Sequence, residues 1–268
     1  MKKLSMTVSA LLFTVAALSF YSCKPTTDNN TDKTPAFTIT GVDEVSTYTQ
    51  EGNVITLTAE GTPEYVLTGT FEGKIIVKAK GTVLKLNGVT LTNANAPVID
   101  AELKVEIKAE ENTENTITTT GAYDENNKIG AINGAKKVEI GGSGKLTVSG
   151  SVCHGIKASD MEVKGSGIYT VSGNEEGSAI NCNNFDVKAE KTFTLNLKDS
   201  KNGIKADKNI TILSGNFNLT NLKTGFKTDK YEDDGEEHVI SISEYANVTY
   251  TNVEKERTKD SFAPASEE

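Results

Sequence analysis

The chain has 268 residues, a formal net charge of −9, 36% hydrophobic and 6% aromatic residues, no Trp and three Cys. So acidic a chain lacks the basic footprint that nucleic acid requires. With two His, no CxxC pair and no P-loop, GxSxG or Rossmann fingerprint, it also lacks the residues for zinc-finger and most His-based nucleophilic chemistry.

In chain order, Met1-Lys2-Lys3 is followed by an apolar segment from Ala10 to Phe20 and by Tyr21-Ser22-Cys23. Residues 1–22 read as a secretory signal peptide, too short to span a membrane. Phe20-Tyr21-Ser22-Cys23 is similar to a bacterial lipoprotein cleavage box, which makes Cys23 the expected lipidation site and the membrane a partner through an N-terminal anchor. Ordinary signal cleavage nearby is the alternative. Residues 23–36 are polar, with two Pro, and read as a disordered tether.

Residues 37–250 carry strand patterns. Val54-Ile55-Thr56-Leu57, Tyr65-Val66-Leu67, Ile75-Ile76-Val77, Val83 to Leu86 and Val89-Thr90-Leu91 are separated by turn signals at Gly61-Thr62-Pro63, Glu72-Gly73 and Asn87-Gly88. This less regular part reads as an N-terminal cap and the first coils. Lys104-Val105-Glu106-Ile107 matches Lys137-Val138-Glu139-Ile140 at an offset of 33, with Gly121 to Lys128 as an inserted loop that carries Tyr123, Asp124 and Glu125.

From Ala131 to Asp229 the chain repeats: Ile132, Ile156, Ile180 and Ile204 are 24 residues apart, and Phe226 follows after 22. Within each block short runs alternate at period two and no helical stripe occurs, as in Ile204/Ala206, Ile210/Ile212 and Phe217/Leu219. A period of this size means stacked units. The expected fold is all-β: a right-handed, single-stranded parallel β-helix with three short strands per ~24-residue coil, the coils ~4.8 Å apart. Residues 251–268 read as a flexible tail.

The repeat assigns faces. Ile99, Ile132, Ile156, Ile180, Ile204 and Phe226 point inward, as do the small residues Ala101, Gly134, Ala158, Cys182, Ala206 and Thr228. Asp100, Asn133, Lys157, Asn181, Lys205 and Lys227 point outward, beside Glu102, Ala135, Ser159, Asn183, Asp207 and Asp229. Cys182 is thus a buried thiol. Cys153, 29 residues earlier, is out of step with it, so no disulfide is expected.

YVLTGTFEGKIIV, LKLNGVTLTN, GAINGAKKVEI, GSGKLTVSG, GIKASDMEVKGSGIYTVSG and GIKADKNITILSGNFNLTN, behind a lipoprotein-type signal, resemble a bacterial β-helix family labelled carbohydrate-binding. The resemblance covers roughly Val54 to Asp229. It implies a fold similar to that of the β-helical pectate lyases, bound calcium, and binding of polygalacturonate or pectin-like acidic polysaccharide without cleavage.

The residues fit that expectation in part. Without Trp, a stacking platform for neutral sugars is poorly supported. Lys157, Lys205 and Lys227 suit uronate carboxylates, with Asn181 beside them. Asp207, Asp229, Asp233 and Asp234 suit calcium, a hard ion that takes six to eight oxygens. The plainer reading is a solvated Lys/Asp face. One alternative is a polysaccharide lyase with Lys205 as base beside Asp207, although the only arginine, Arg257, falls in the expected tail, which leaves the coils without a guanidinium to clamp uronates. Another is a structural adhesin or spacer. The expected setting is a monomeric outer-membrane lipoprotein facing the periplasm or the cell surface.

Overall fold

Period-two alternation sends every second residue of a strand to the same side, and stacking such strands makes a narrow apolar column. The computed structural model describes residues 36–42, 46–94, 97–123, 125–126, 128–228 and 238–257. The chain divides into Met1–Lys33 and Thr34–Glu268. The first unit, with the signal segment and Cys23, lies outside the described residues. The second is all-β: among the described residues there are 22 strands and no helix.

Most strands belong to three parallel ladders, which the chain visits in turn. The first contains Val54–Leu57, Lys74–Val77, Ile99–Ala101, Gly130–Gly134, His154–Ala158 and Ser178–Cys182, then the C-terminal parts of Thr194–Ala206 and Gly215–Thr228. The second contains Val105–Ala109, Val138–Gly142, Asp160–Val163, Asn184–Val187, Ile210–Ile212 and Ile240–Ile242. The third contains Glu114–Thr119, Lys145–Gly150, Ile168–Ser172, the N-terminal parts of Thr194–Ala206 and Gly215–Thr228, and Ala246–Arg257.

Register in the first ladder follows the repeat. Ile55, Ile75, Ile99, Ile132, Ile156, Ile180, Ile204 and Phe226 pair in succession and are fully buried. The column thus begins three coils before the regular period does. The offset of 33 also holds, since Val105 pairs with Val138 and Ile107 with Ile140. In the last coils aromatic rings fill the column: Phe217 meets Phe193 at 5.6 Å and Phe226 at 6.4 Å, both edge to face. The Gly-Ser-Gly turns mark close approach between coils. Gly142 has φ +94, and a Cβ there would lie 2.1 Å from the Ala109 carbonyl oxygen. Cys153 and Cys182 are buried free thiols.

The expectation of uniformly parallel strands needs correction at the start of the chain. Thr38–Gly41 pairs antiparallel with the strand Glu64–Glu72, and Tyr48–Glu51 antiparallel with Val54–Leu57. The sheet is therefore mixed. The first coil of a parallel stack leaves a bare edge. A tight turn at Gly52, with φ +59, folds a short strand back over it, whereas a parallel cover would need a whole further coil. Phe37 closes this end against Phe71 at 4.8 Å. At the other end Ala246–Arg257 runs past the boundary at Tyr250, because Thr251, Val253, Lys255 and Arg257 continue the pairing with Thr220, Leu222, Thr224 and Phe226. Residues 258–268, the rest of the expected tail, lie outside the described residues.

Candidate functional site

Beside the buried Ile column, the outward positions of the first ladder form one row. Asp100, Asn133, Lys157, Asn181, Lys205 and Lys227 are direct partners on successive coils, and all are half-buried. The acid at its head is neutralised: Lys74 lies 2.5 Å from Asp100, and Asn133 Nδ2 donates to it at 3.0 Å. From Asn133 onward the row offers only amides and ammoniums. Lys157 Nζ donates to the Lys128 carbonyl at 2.8 Å, which leans it toward the inserted loop. Tyr123 of that loop is exposed. Asp124 lies outside the described residues.

A buried polar column backs the row. His154, Ser178, Asn202 and Thr224 stand two residues before the inward Ile and Phe positions, and all are buried. His154 Nδ1 accepts from the Ser178 N–H at 2.9 Å, and Ser178 Oγ accepts from Asn202 Nδ2 at 3.0 Å. Burial, with the charges of Lys157 and Lys205, pushes the imidazole down to about 4, so His154 is neutral at pH 7. The outward lysines thus stand on strands tied together from behind.

Of the residues that the sequence singles out, Lys157, Asn181, Lys205 and Lys227 come together as expected. Asp207 is held by Lys205, whose Nζ donates to its Oδ1 at 2.8 Å. Asp229, Asp233 and Asp234 lie outside the described residues. Among the described residues no group of three His, Cys, Asp or Glu could hold a metal ion. No described helix is long and apolar enough to cross a membrane.

The second ladder carries a feature that sequence reasoning missed. Its outward residues Glu106, Glu139, Glu162 and Asp186 are partners on four successive coils. Such stacked carboxylates repel unless cations lie between them. Here lysines interleave. Lys104 and Lys164 reach Glu139 at 2.6 and 2.7 Å, Lys164 reaches Glu106 at 3.0 Å, and Lys137 pairs with Glu162. Asp186 ends the file, and its burial pushes its carboxyl up. The signal was present in the Lys-Val-Glu-Ile match, which showed two aligned strands but not the charges facing across them.

The three faces differ in chemistry: amide and ammonium on the first ladder, interleaved ion pairs on the second, and mostly Thr, Ser and Asn on the third. An all-β scaffold that presents in-register polar rows on rigid strands is the class of protein defined here. Residues 51–185, half of the chain, match the carbohydrate-binding domain-containing protein family, and the chain belongs to that family. Among solved structures it is similar to a polysaccharide lyase-like protein from C. thermocellum, with a TM-score of 0.58 and 21% identity over 81% of this chain and 90% of the other. That likeness is one of fold. No curated protein matches the chain.

Proposed function

We propose that the chain binds acidic polysaccharide of the polygalacturonate type, without cleaving it, along the row Asn133, Lys157, Asn181, Lys205 and Lys227, and that its three ladders are the faces of a right-handed parallel β-helix. The observation that carries this reading is the register of the row: three ammoniums and two amides on successive coils, its single acid already neutralised. Ammoniums pair with carboxylates, and amides meet hydroxyls as both donors and acceptors. Strands hold these groups in place before the ligand arrives, which lowers the ordering cost of binding.

Calcium belongs to the same proposal. Its donors would be Asp207 with Asp229, Asp233 and Asp234, and it would compete with Lys205 for Asp207. Bound there, it would bridge protein and uronate carboxylates.

The test is affinity electrophoresis in gels containing polygalacturonate, with calcium and then with chelator. The variant Lys157→Gln/Lys205→Gln/Lys227→Gln is expected to bind about a hundredfold more weakly, at ~1 kcal/mol for each half-buried ion pair lost. Chelator should weaken the wild type as well. Undiminished binding by the variant would overturn the assignment of the row. Ultraviolet absorbance from unsaturated product would replace binding with lyase chemistry.

We also propose that Cys23 is acylated and that the protein is an outer-membrane lipoprotein. The expected result is that Cys23→Ser moves the protein from the membrane fraction to the soluble fraction. Unchanged partitioning would overturn the anchor.

A further inference from the structure

A cleft of about 620 Å3 lies where the chain turns out of the third ladder toward the first, on the last four coils. Its wall is built by an unusual backbone. Asp199, Asn221 and Asn252 have φ of 49°, 55° and 53°, the left-handed region that Asn and Asp tolerate better than other side chains. Repeating this turn on successive coils stacks the three side chains along the axis. Asn252 Nδ2 donates to Asn221 Oδ1 at 2.9 Å, and Asn221 Nδ2 donates to Asp199 Oδ1 at 2.9 Å. The direction is fixed, because a carboxylate can only accept. Each amide uses one of its two N–H groups in this file and keeps the other.

The rest of the cleft completes the chemistry. Leu222, itself buried, closes the floor of the cleft beneath the polar groups. Glu175 and Glu254 add two carboxylates to that of Asp199; Lys198 pairs with Asp199 at 3.5 Å and Lys223 supplies a second ammonium, which leaves the cleft acidic by one charge. The charge balance is thus opposite to that of the lysine row. Like charge disfavours an acidic polysaccharide here. A neutral glycan is not repelled: adjacent hydroxyls donate to carboxylates and amide carbonyls and accept from the remaining amide N–H groups. The volume of the cleft falls in the ~300–1,000 Å3 range of small-molecule sites, with several polar groups converging on it. Beside the cleft, the outward file Thr118, Ser149, Ser172, Lys198, Thr220, Thr251 is neutral but for one lysine, so a longer glycan leaving the cleft meets hydroxyls.

We propose that this cleft is a second glycan site, selective for neutral oligosaccharide, and separate from the lysine row. The experiment follows the side-chain amide resonances of Asn221 and Asn252 in the full chain by NMR. The probes are cellohexaose, maltohexaose and xylohexaose at millimolar concentration, with hexagalacturonate and calcium chloride as separate counter-probes. At least one neutral hexasaccharide is expected to shift both amides. Asn221→Gly, which keeps the left-handed turn, should weaken that binding about tenfold, and Lys157→Gln/Lys205→Gln should leave it unchanged. The proposal is overturned if no neutral hexasaccharide moves these amides, or if only hexagalacturonate or calcium does. It is also overturned if the lysine variant abolishes the neutral binding. Because the lysine variant reads the row and Asn221→Gly reads the cleft, the failure of one reading is distinguishable from that of the other.

Discussion

Ile180→Asp is expected to unfold the chain. Ile180 is fully buried, and its direct partners in the first ladder are Ile156 and Ile204, also fully buried. A carboxylate there has no cation or donor within the apolar column, and an unpaired buried charge costs several kcal/mol or shifts its pKa until it neutralises. Single changes above ~4–5 kcal/mol are rare, and this mechanism is among the few that reach them. Against a total stability of ~5–15 kcal/mol, the loss is enough to empty the native state. Ile180→Val, which removes one methyl group, should cost only about 1 kcal/mol. Ile242, in the last strand of the second ladder, is only half-buried, so Ile242→Asp should be milder than Ile180→Asp. Circular dichroism melts of the three variants check this ranking. An Ile180→Asp variant as stable as the wild type would show that the column is not the core.

That column was legible because its middle part repeats at one spacing. The interval of 24 residues brings Ile132, Ile156, Ile180 and Ile204 to the same place in successive coils, and alternation then assigns inside and outside. The same spacing aligns Lys157, Asn181, Lys205 and Lys227 in one outward row. Legibility ended where spacing did not carry the information. Tyr48–Glu51 pairs antiparallel with Val54–Leu57 by local hairpin geometry, and Thr38–Gly41 pairs antiparallel with Glu64–Glu72; neither pairing leaves a repeated period. Glu106, Glu139, Glu162 and Asp186 lie at offsets of 33, 23 and 24, so their alignment emerges only once the inserted loop and the shorter turn are taken out. Asp199, Asn221 and Asn252 are 22 and then 31 residues apart, the second interval stretched by the acidic segment 229–237. Their common role follows from a left-handed backbone that nearly any polar turn could have lacked. The calcium donors expected from sequence, Asp207 apart, lie outside the described residues, and Asp207 itself is engaged by Lys205.

The second large effect is expected at Glu139, which is 3% exposed and surrounded by Lys104, Lys137 and Lys164. Burial alone would raise its pKa, but hydrogen bonds from Lys104 and Lys164, with their charges, outweigh burial and take it from 4.5 to about 2. A carboxylate whose folded pKa is depressed stabilises the fold fully above its unfolded value, and that stability is lost as pH falls from about 4.5 toward 2. Glu139→Gln keeps the shape but leaves three ammoniums around a neutral amide. Removing one partner of a buried ion pair costs ~3–5 kcal/mol, and the lower end is expected here because the lysines are partly exposed. His154 acts in an earlier window. Its folded pKa is about 4 against 6.5, so the unfolded chain takes up the proton first, and the stability of the neutral buried imidazole is lost as pH falls from 6.5 to about 4. Acid should therefore weaken the protein in two stages, His154 first and Glu139 second. Urea unfolding of the wild type and Glu139→Gln across this range separates them. The gap between the two proteins should hold at about 3 kcal/mol from pH 7 to pH 5 and then close, because protonated Glu and Gln are neutral and nearly isosteric. A gap that stays constant down to pH 3 would mean that packing, and not the three lysines, sets the contribution of Glu139.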